Sequence, residues 1–129
     1  MNASMKKVFF VMLCVLFLCG CGSEKVEKAQ VINIKSEEVS TITKDKEYVI
    51  VDVREENEYN IEHVKDSINI SVNNIDSIKD KYDFDTIIIV YCKSGNRSNK
   101  AASRLIELGY KNVYDLGGID TITLDKVSE

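Results

Sequence analysis

The chain is poor in several things that would point to particular functions. Among its 129 residues there is one histidine, His63, and no tryptophan. Only one cysteine, Cys92, lies beyond residue 21. The body of the chain therefore has no second thiol for an intramolecular disulfide and too few for a zinc site built from cysteines. No cluster of lysine or arginine stands out, and 17 basic residues face 21 acidic ones. That balance argues against nucleic acid or anionic lipid headgroups as partners. The longest apolar run, Val8 to Leu18, is shorter than the roughly 20 residues of a membrane-spanning helix. There are no internal repeats and no low-complexity stretches.

What is present begins with that run. Lys6 and Lys7 precede it, and Gly20, Cys21 and a sharply polar stretch from Ser23 follow. A basic start, a short apolar core and small residues at its end form the pattern of a secretory signal peptide. Leu18-Cys19-Gly20-Cys21 resembles the lipobox of bacterial lipoproteins, although Cys19 stands where a smaller residue is commoner. The resemblance implies cleavage before Cys21 and lipidation of Cys21. Residues 1–20 are then the signal, 21–30 a lipidated cysteine with a polar tether, and 31–129 one folded domain. The expected location is the extracytoplasmic face of the cell membrane, reached through the lipid and not by spanning. Loss of Lys6 and Lys7 leaves 15 basic residues against 21 acidic ones, a net charge of −6. Cys92 remains as the only free thiol, and a lone thiol in an exported chain is a candidate reactive group.

Along the domain, Val31 to Ile34 alternates as a short edge strand. Ser36-Glu37-Glu38 opens a short helix with Ser36 as its N-cap. Tyr48 to Val53 and Thr86 to Tyr91 are β-branched runs of the kind buried on both faces in parallel sheets. Between them Glu55 to Ile61 reads as a helical turn, Ser67 to Ser71 as a shorter strand, and Asn73 to Tyr82 as a helix. Lys100 to Leu108 carries a broad apolar face ending at Gly109, and Asn112 to Leu116 is a further strand ended by Gly117 and Gly118. This alternation predicts an α/β domain with a mainly parallel sheet of about five strands and helices on both faces. In such sheets ligands sit beyond the carboxyl ends of the strands, which is where Cys92 falls.

The segment Cys92-Lys93-Ser94-Gly95-Asn96-Arg97-Ser98 carries the chemistry. A nucleophile at the end of a buried strand is held rigidly. Gly95 lets the loop curl so that successive N–H groups point inward as an anion nest. The following helix aims its N-terminus at the same spot, and Arg97 adds a full positive charge. All three favour thiolate over thiol at Cys92. The same cradle suits an oxyanion such as thiosulfate. Arg97 is read either as substrate-facing or as the structural partner of an acidic group such as Asp52. Tyr48, Tyr59 and Tyr82 are read as core residues.

Cys92-x-x-Gly95-x-Arg97-Ser98 after an apolar strand resembles the active loop of rhodanese-type sulfurtransferases. Three other elements follow that family's order: Asp52-Val53-Arg54, Glu58-Tyr59-x-x-x-His63-Val64-x-x-Ser67-Ile68-Asn69-Ile70, and Leu108-Gly109-Tyr110 through Gly117-Gly118. The likeness covers about residues 31 to 120. Glu62 and Asp66 stand where the family usually has glycines, no tryptophan follows Gly118, and the last helix looks short. The resemblance implies covalent catalysis in two steps. Cys92 thiolate takes the outer sulfur of a donor such as thiosulfate and becomes a persulfide. A thiol, cyanide or a protein acceptor then removes it. No metal or organic cofactor is implied. Asp52, Arg54 and His63 are expected to support the loop and not to react.

Two other functions compete. Related dual-specificity cell-cycle phosphatases and arsenate reductases have one more residue between the cysteine and the arginine, whereas four residues, Lys93 to Asn96, separate Cys92 from Arg97 here. The tighter ring favours sulfur over phosphorus. Alternatively, the domain carries a persulfide without turning it over.

Overall fold

The computed structural model describes residues 28–128, so the signal segment and Cys21 lie outside the described residues. Five parallel strands form the sheet: β1 (Ile32–Asn33), β2 (Tyr48–Asp52), β4 (Ile68–Asn69), β5 (Ile87–Cys92) and β6 (Val113–Gly118), in the order β1-β6-β5-β2-β4. Two further strands, β3 (His63–Val64) and β7 (Lys126–Val127), pair as a small antiparallel ribbon. The α-helices are α1 (Val39–Thr43), α2 (Glu56–Ile61) and α3 (Asn96–Leu108). The α/β reading is borne out.

Strand β5 occupies the centre because all six of its residues are apolar or nearly so, and all six are buried. Their period of two splits the core. Ile88, Val90 and Cys92 face one side with Val49 and Val51, under Ala101, Ala102 and Leu105 of α3. Ile87, Ile89 and Tyr91 face the other, against Ile34, Val39, Leu116, Ile119 and Ile122.

Three local expectations are corrected, and that of a short last helix is met. Ser36 is not the N-cap of the first helical turn. That place belongs to Lys35, whose N–H donates to Glu38 Oε2 at 2.7 Å, while Ser36 Oγ accepts the Thr123 N–H at 3.0 Å. Val72–Asp80 is a 3₁₀ helix, because its apolar residues Val72, Ile75 and Ile78 recur every three positions. A three-residue turn stacks them in one line, where a 3.6-residue turn would fan them over about 120°. The last helix shrinks to one 3₁₀ turn, Ile119–Thr121, before the chain pairs β7 with β3. Tyr48 is no core residue: it begins β2 with 47% of its surface exposed.

The two missing glycines have different outcomes. Glu62 is extended, with φ −161°, and asks for no glycine. Asp66 does sit in the left-handed region at φ 66°, where a short polar side chain is tolerated.

Candidate active site

Cys92 is the last residue of β5 and has no exposed surface. The chain turns at Gly95, which adopts φ 95° and ends the loop as the N-cap of α3. A side chain is strained there, so glycine is what allows a helix to start with only three residues between it and the end of the strand. The Gly95 N–H donates to Cys92 Sγ at 3.0 Å. Burial acts to raise the Cys92 thiol, but hydrogen bonds from the Ser98 side chain and from the backbone N–H groups of Ser98, Gly95 and Ser94 outweigh it. The balance holds the thiol below its ordinary value. Ser98 Oγ also lies 3.1 Å from the Gly95 carbonyl. One hydroxyl proton cannot serve both acceptors, and a thiolate is the stronger of the two.

Arg97, in the first turn of α3, is tied down. Its Nη1 and Nη2 donate to Glu58 Oε2 and Oε1 at 2.8 and 3.1 Å. Glu58 Oε2 also accepts the Glu55 N–H at 3.0 Å, which caps α2. Hydrogen bonding from Arg97 pulls the Glu58 carboxyl down to about 2, against a smaller opposing effect of burial. Glu58 in turn raises Arg97, and the charge on Cys92 adds to it. Arg97 is thus paired with Glu58 and not with Asp52.

Asp52 instead holds Arg54, two residues on. Arg54 Nε donates to both carboxylate oxygens at 3.0 Å, and Nη2 donates to Oδ2 at 2.7 Å. Both residues are buried. Arg54 Nη2 reaches on to the Glu62 carbonyl at 2.6 Å, and Asn69 Nδ2 donates to the carbonyls of Asp52 and Arg54. Asp52 also pairs in register with Tyr91, so this knot braces the strand end that carries Cys92. His63 stacks on Tyr59 with ring centroids 3.7 Å apart, and its Nδ1 lies 2.8 Å from the Tyr59 carbonyl. It belongs to the β3–β7 ribbon.

The structure therefore brings Cys92, Gly95, Arg97, Ser98 and the backbone N–H of Ser94 together, while Lys93, Ser94 and Asn96 are exposed residues. Glu58 was not singled out from the sequence as a site residue. It figured only within a family motif, and its pairing with Arg97, 39 residues on, is a tertiary contact that leaves no local sequence signal. Two clefts lie apart from this loop. One of about 600 Å³ opens beside Tyr48, Val49 and Ile68, and another of about 390 Å³ beside Lys46, Asp85 and Asn112. Among the described residues, no group of His, Cys, Asp or Glu is arranged to hold a metal ion.

A buried cysteine at the carboxyl end of the central strand of a parallel sheet, ringed by loop amides and a helix N-terminus, defines a nucleophilic-cysteine α/β domain. Residues 35–124 match the family model described as the rhodanese-like domain, and the chain belongs to that family. It is 35% identical over 81 residues to the thiosulfate sulfurtransferase GlpE of Coxiella burnetii, covering 62% of this chain and 76% of that one. It is 35% identical over 82 residues to the thiosulfate sulfurtransferase PspE of Escherichia coli, covering 60% and 76%. Among solved structures, a rhodanese with anions from E. coli superposes with a TM-score of 0.60 at 32% identity, covering 64% of this chain and 99% of that one.

Proposed function

We propose that this chain is a rhodanese-type sulfurtransferase that moves sulfane sulfur from a thiosulfate-like donor to a thiophilic acceptor through a persulfide on Cys92. The observation that carries this reading is the Cys92 sulfur itself, held by the amides of Ser94, Gly95 and Ser98 and the Ser98 hydroxyl. Sγ attacks the outer sulfur of thiosulfate, the S–S bond of the donor breaks, and sulfite leaves with the electron pair. The acceptor then attacks the outer sulfur of the persulfide and returns the Cys92 thiolate. The amides that favoured the thiolate favour the persulfide anion as well. A structural relative described as a rhodanese with anions supports an anionic donor. Burial of Cys92 favours a small donor over a bulky one. The engagement of both terminal guanidinium nitrogens of Arg97 by Glu58 weighs against a phosphatase, which needs donors facing a tetrahedral phosphate.

Treatment of the protein with thiosulfate, followed by mass spectrometry, is expected to show one added sulfur on the Cys92 peptide. Cys92→Ser is expected to remove both this gain and all transfer to cyanide, with the fold unchanged by circular dichroism. Transfer by the serine variant contradicts the proposal. Stoichiometric loading without turnover replaces the enzyme with a carrier. The location is proposed from residues 1–21 alone: cleavage, a lipid on Cys21, and display outside the cytoplasm. Metabolic labelling with a fatty acid is expected to mark the wild type and not Cys21→Ala.

A further inference from the structure

The end of β6 is irregular where it meets the reactive loop. Val90 pairs with Asp115, but Tyr91 pairs with Gly117 and Cys92 with Gly118, so Leu116 is an extra residue. Such a bulge re-aims whatever follows it. Gly117 takes φ 81°, and its N–H donates to the buried Asp115 carboxylate at 2.8 Å. Gly118 then lies directly under the first residues of the loop. A Cβ on Gly118 would stand 2.5 Å from the Lys93 carbonyl oxygen and 3.3 Å from Ser94 Cα. These are backbone atoms and cannot swing aside.

The contact has a direction. In a planar trans peptide the C=O and the N–H point opposite ways. With the Lys93 carbonyl seated on Gly118, the Ser94 N–H of the same peptide points away from β6. That N–H is one of the backbone groups that hold the Cys92 sulfur. We propose that Asp115, Gly117 and Gly118 are positioning residues for Cys92: the bulged end of β6 sets the Lys93–Ser94 peptide plane and so aims the loop amides at Sγ. The inference rests on the sulfur-transfer reading of that loop.

The test follows the pH dependence of iodoacetamide alkylation at Cys92, read by peptide mass mapping of the full chain. Gly118→Ala is expected to raise the midpoint by about one pH unit, the size of losing one such hydrogen bond. Asp115→Ala is expected to raise it likewise, and Asp115→Asn, which keeps an oxygen for the Gly117 N–H, to restore it. Val113→Ala, a cavity in the same strand, is expected to lower Tm and leave the midpoint alone. If Gly118→Ala does not fold, the two Asp115 variants decide. Folded Gly118→Ala or Asp115→Ala with the wild-type midpoint overturns the inference, as does an equal shift in Val113→Ala. A wild-type midpoint at the ordinary cysteine value instead removes the thiolate reading beneath it.

Discussion

At Cys92, burial and hydrogen bonding act on one sulfur atom in opposite directions. A buried thiol surrounded by hydrocarbon resists ionisation, and this one has no exposed surface. Donors from Ser98, Gly95 and Ser94 reverse the sign. Ser98→Ala removes the side-chain donor and is expected to slow persulfide formation about tenfold at neutral pH, in line with one pKa unit. Stopped-flow measurement of thiosulfate consumption checks this. Gly95 and Cys92 were legible from the sequence because their roles need only a strand end and a glycine. The partner of Arg97 was not. Asp52 looked available in the sequence, but Arg54, two residues on, folds back and occupies both oxygens. At Asp66, a β-branched residue cannot take φ 66° cheaply. Asp66→Val is expected to cost about 1–2 kcal/mol in urea unfolding, and Asp66→Gly close to nothing, since strain relief is offset by added freedom of the unfolded chain.

Between elements, the Glu58–Arg97 pair links α2 to α3 across the mouth of the loop. Glu58 titrates at about 2 when folded, below the ordinary carboxyl value of 4.5. A carboxyl whose folded pKa is depressed contributes stability above its unfolded pKa, and that contribution fades as pH falls towards the folded one. Thermal stability is therefore expected to fall between pH 4.5 and about 2 more steeply in wild type than in Glu58→Gln. At neutral pH the same variant is expected to lose less than about 1 kcal/mol, the size of a partly exposed pair. Equal pH profiles would show that the clamp contributes nothing. Element types were legible where the pattern was strong: unbroken β-branched runs in β2 and β5, and a broad apolar helical face in α3. Val72–Asp80 reads as an α-helix in the sequence because positions three apart belong to both periods, and Tyr82, four residues after Ile78, adds an α-helical spacing.

Across the molecule, a parallel sheet covered on both faces holds the reactive cysteine at its centre. Alternate residues of β5 enter separate cores, so stability and chemistry are partly separable. Ile89→Ala, fully buried in the core on the opposite face from Cys92, is expected to cost about 2–5 kcal/mol. It is expected to leave the Cys92 alkylation midpoint unchanged, which calorimetry and labelling together check. The fold class could be read from strand–helix alternation and from the resemblance of four ordered motifs to the rhodanese family. The β6 bulge could not, since one extra residue in a strand leaves the composition of a strand. The most direct measurement is the pH dependence of Cys92 alkylation in the unmodified wild-type chain. A midpoint clearly below the ordinary cysteine value of about 8.5 is the predicted result. A midpoint at or above that value contradicts the account, because the loop's donors would then not have prevailed over burial.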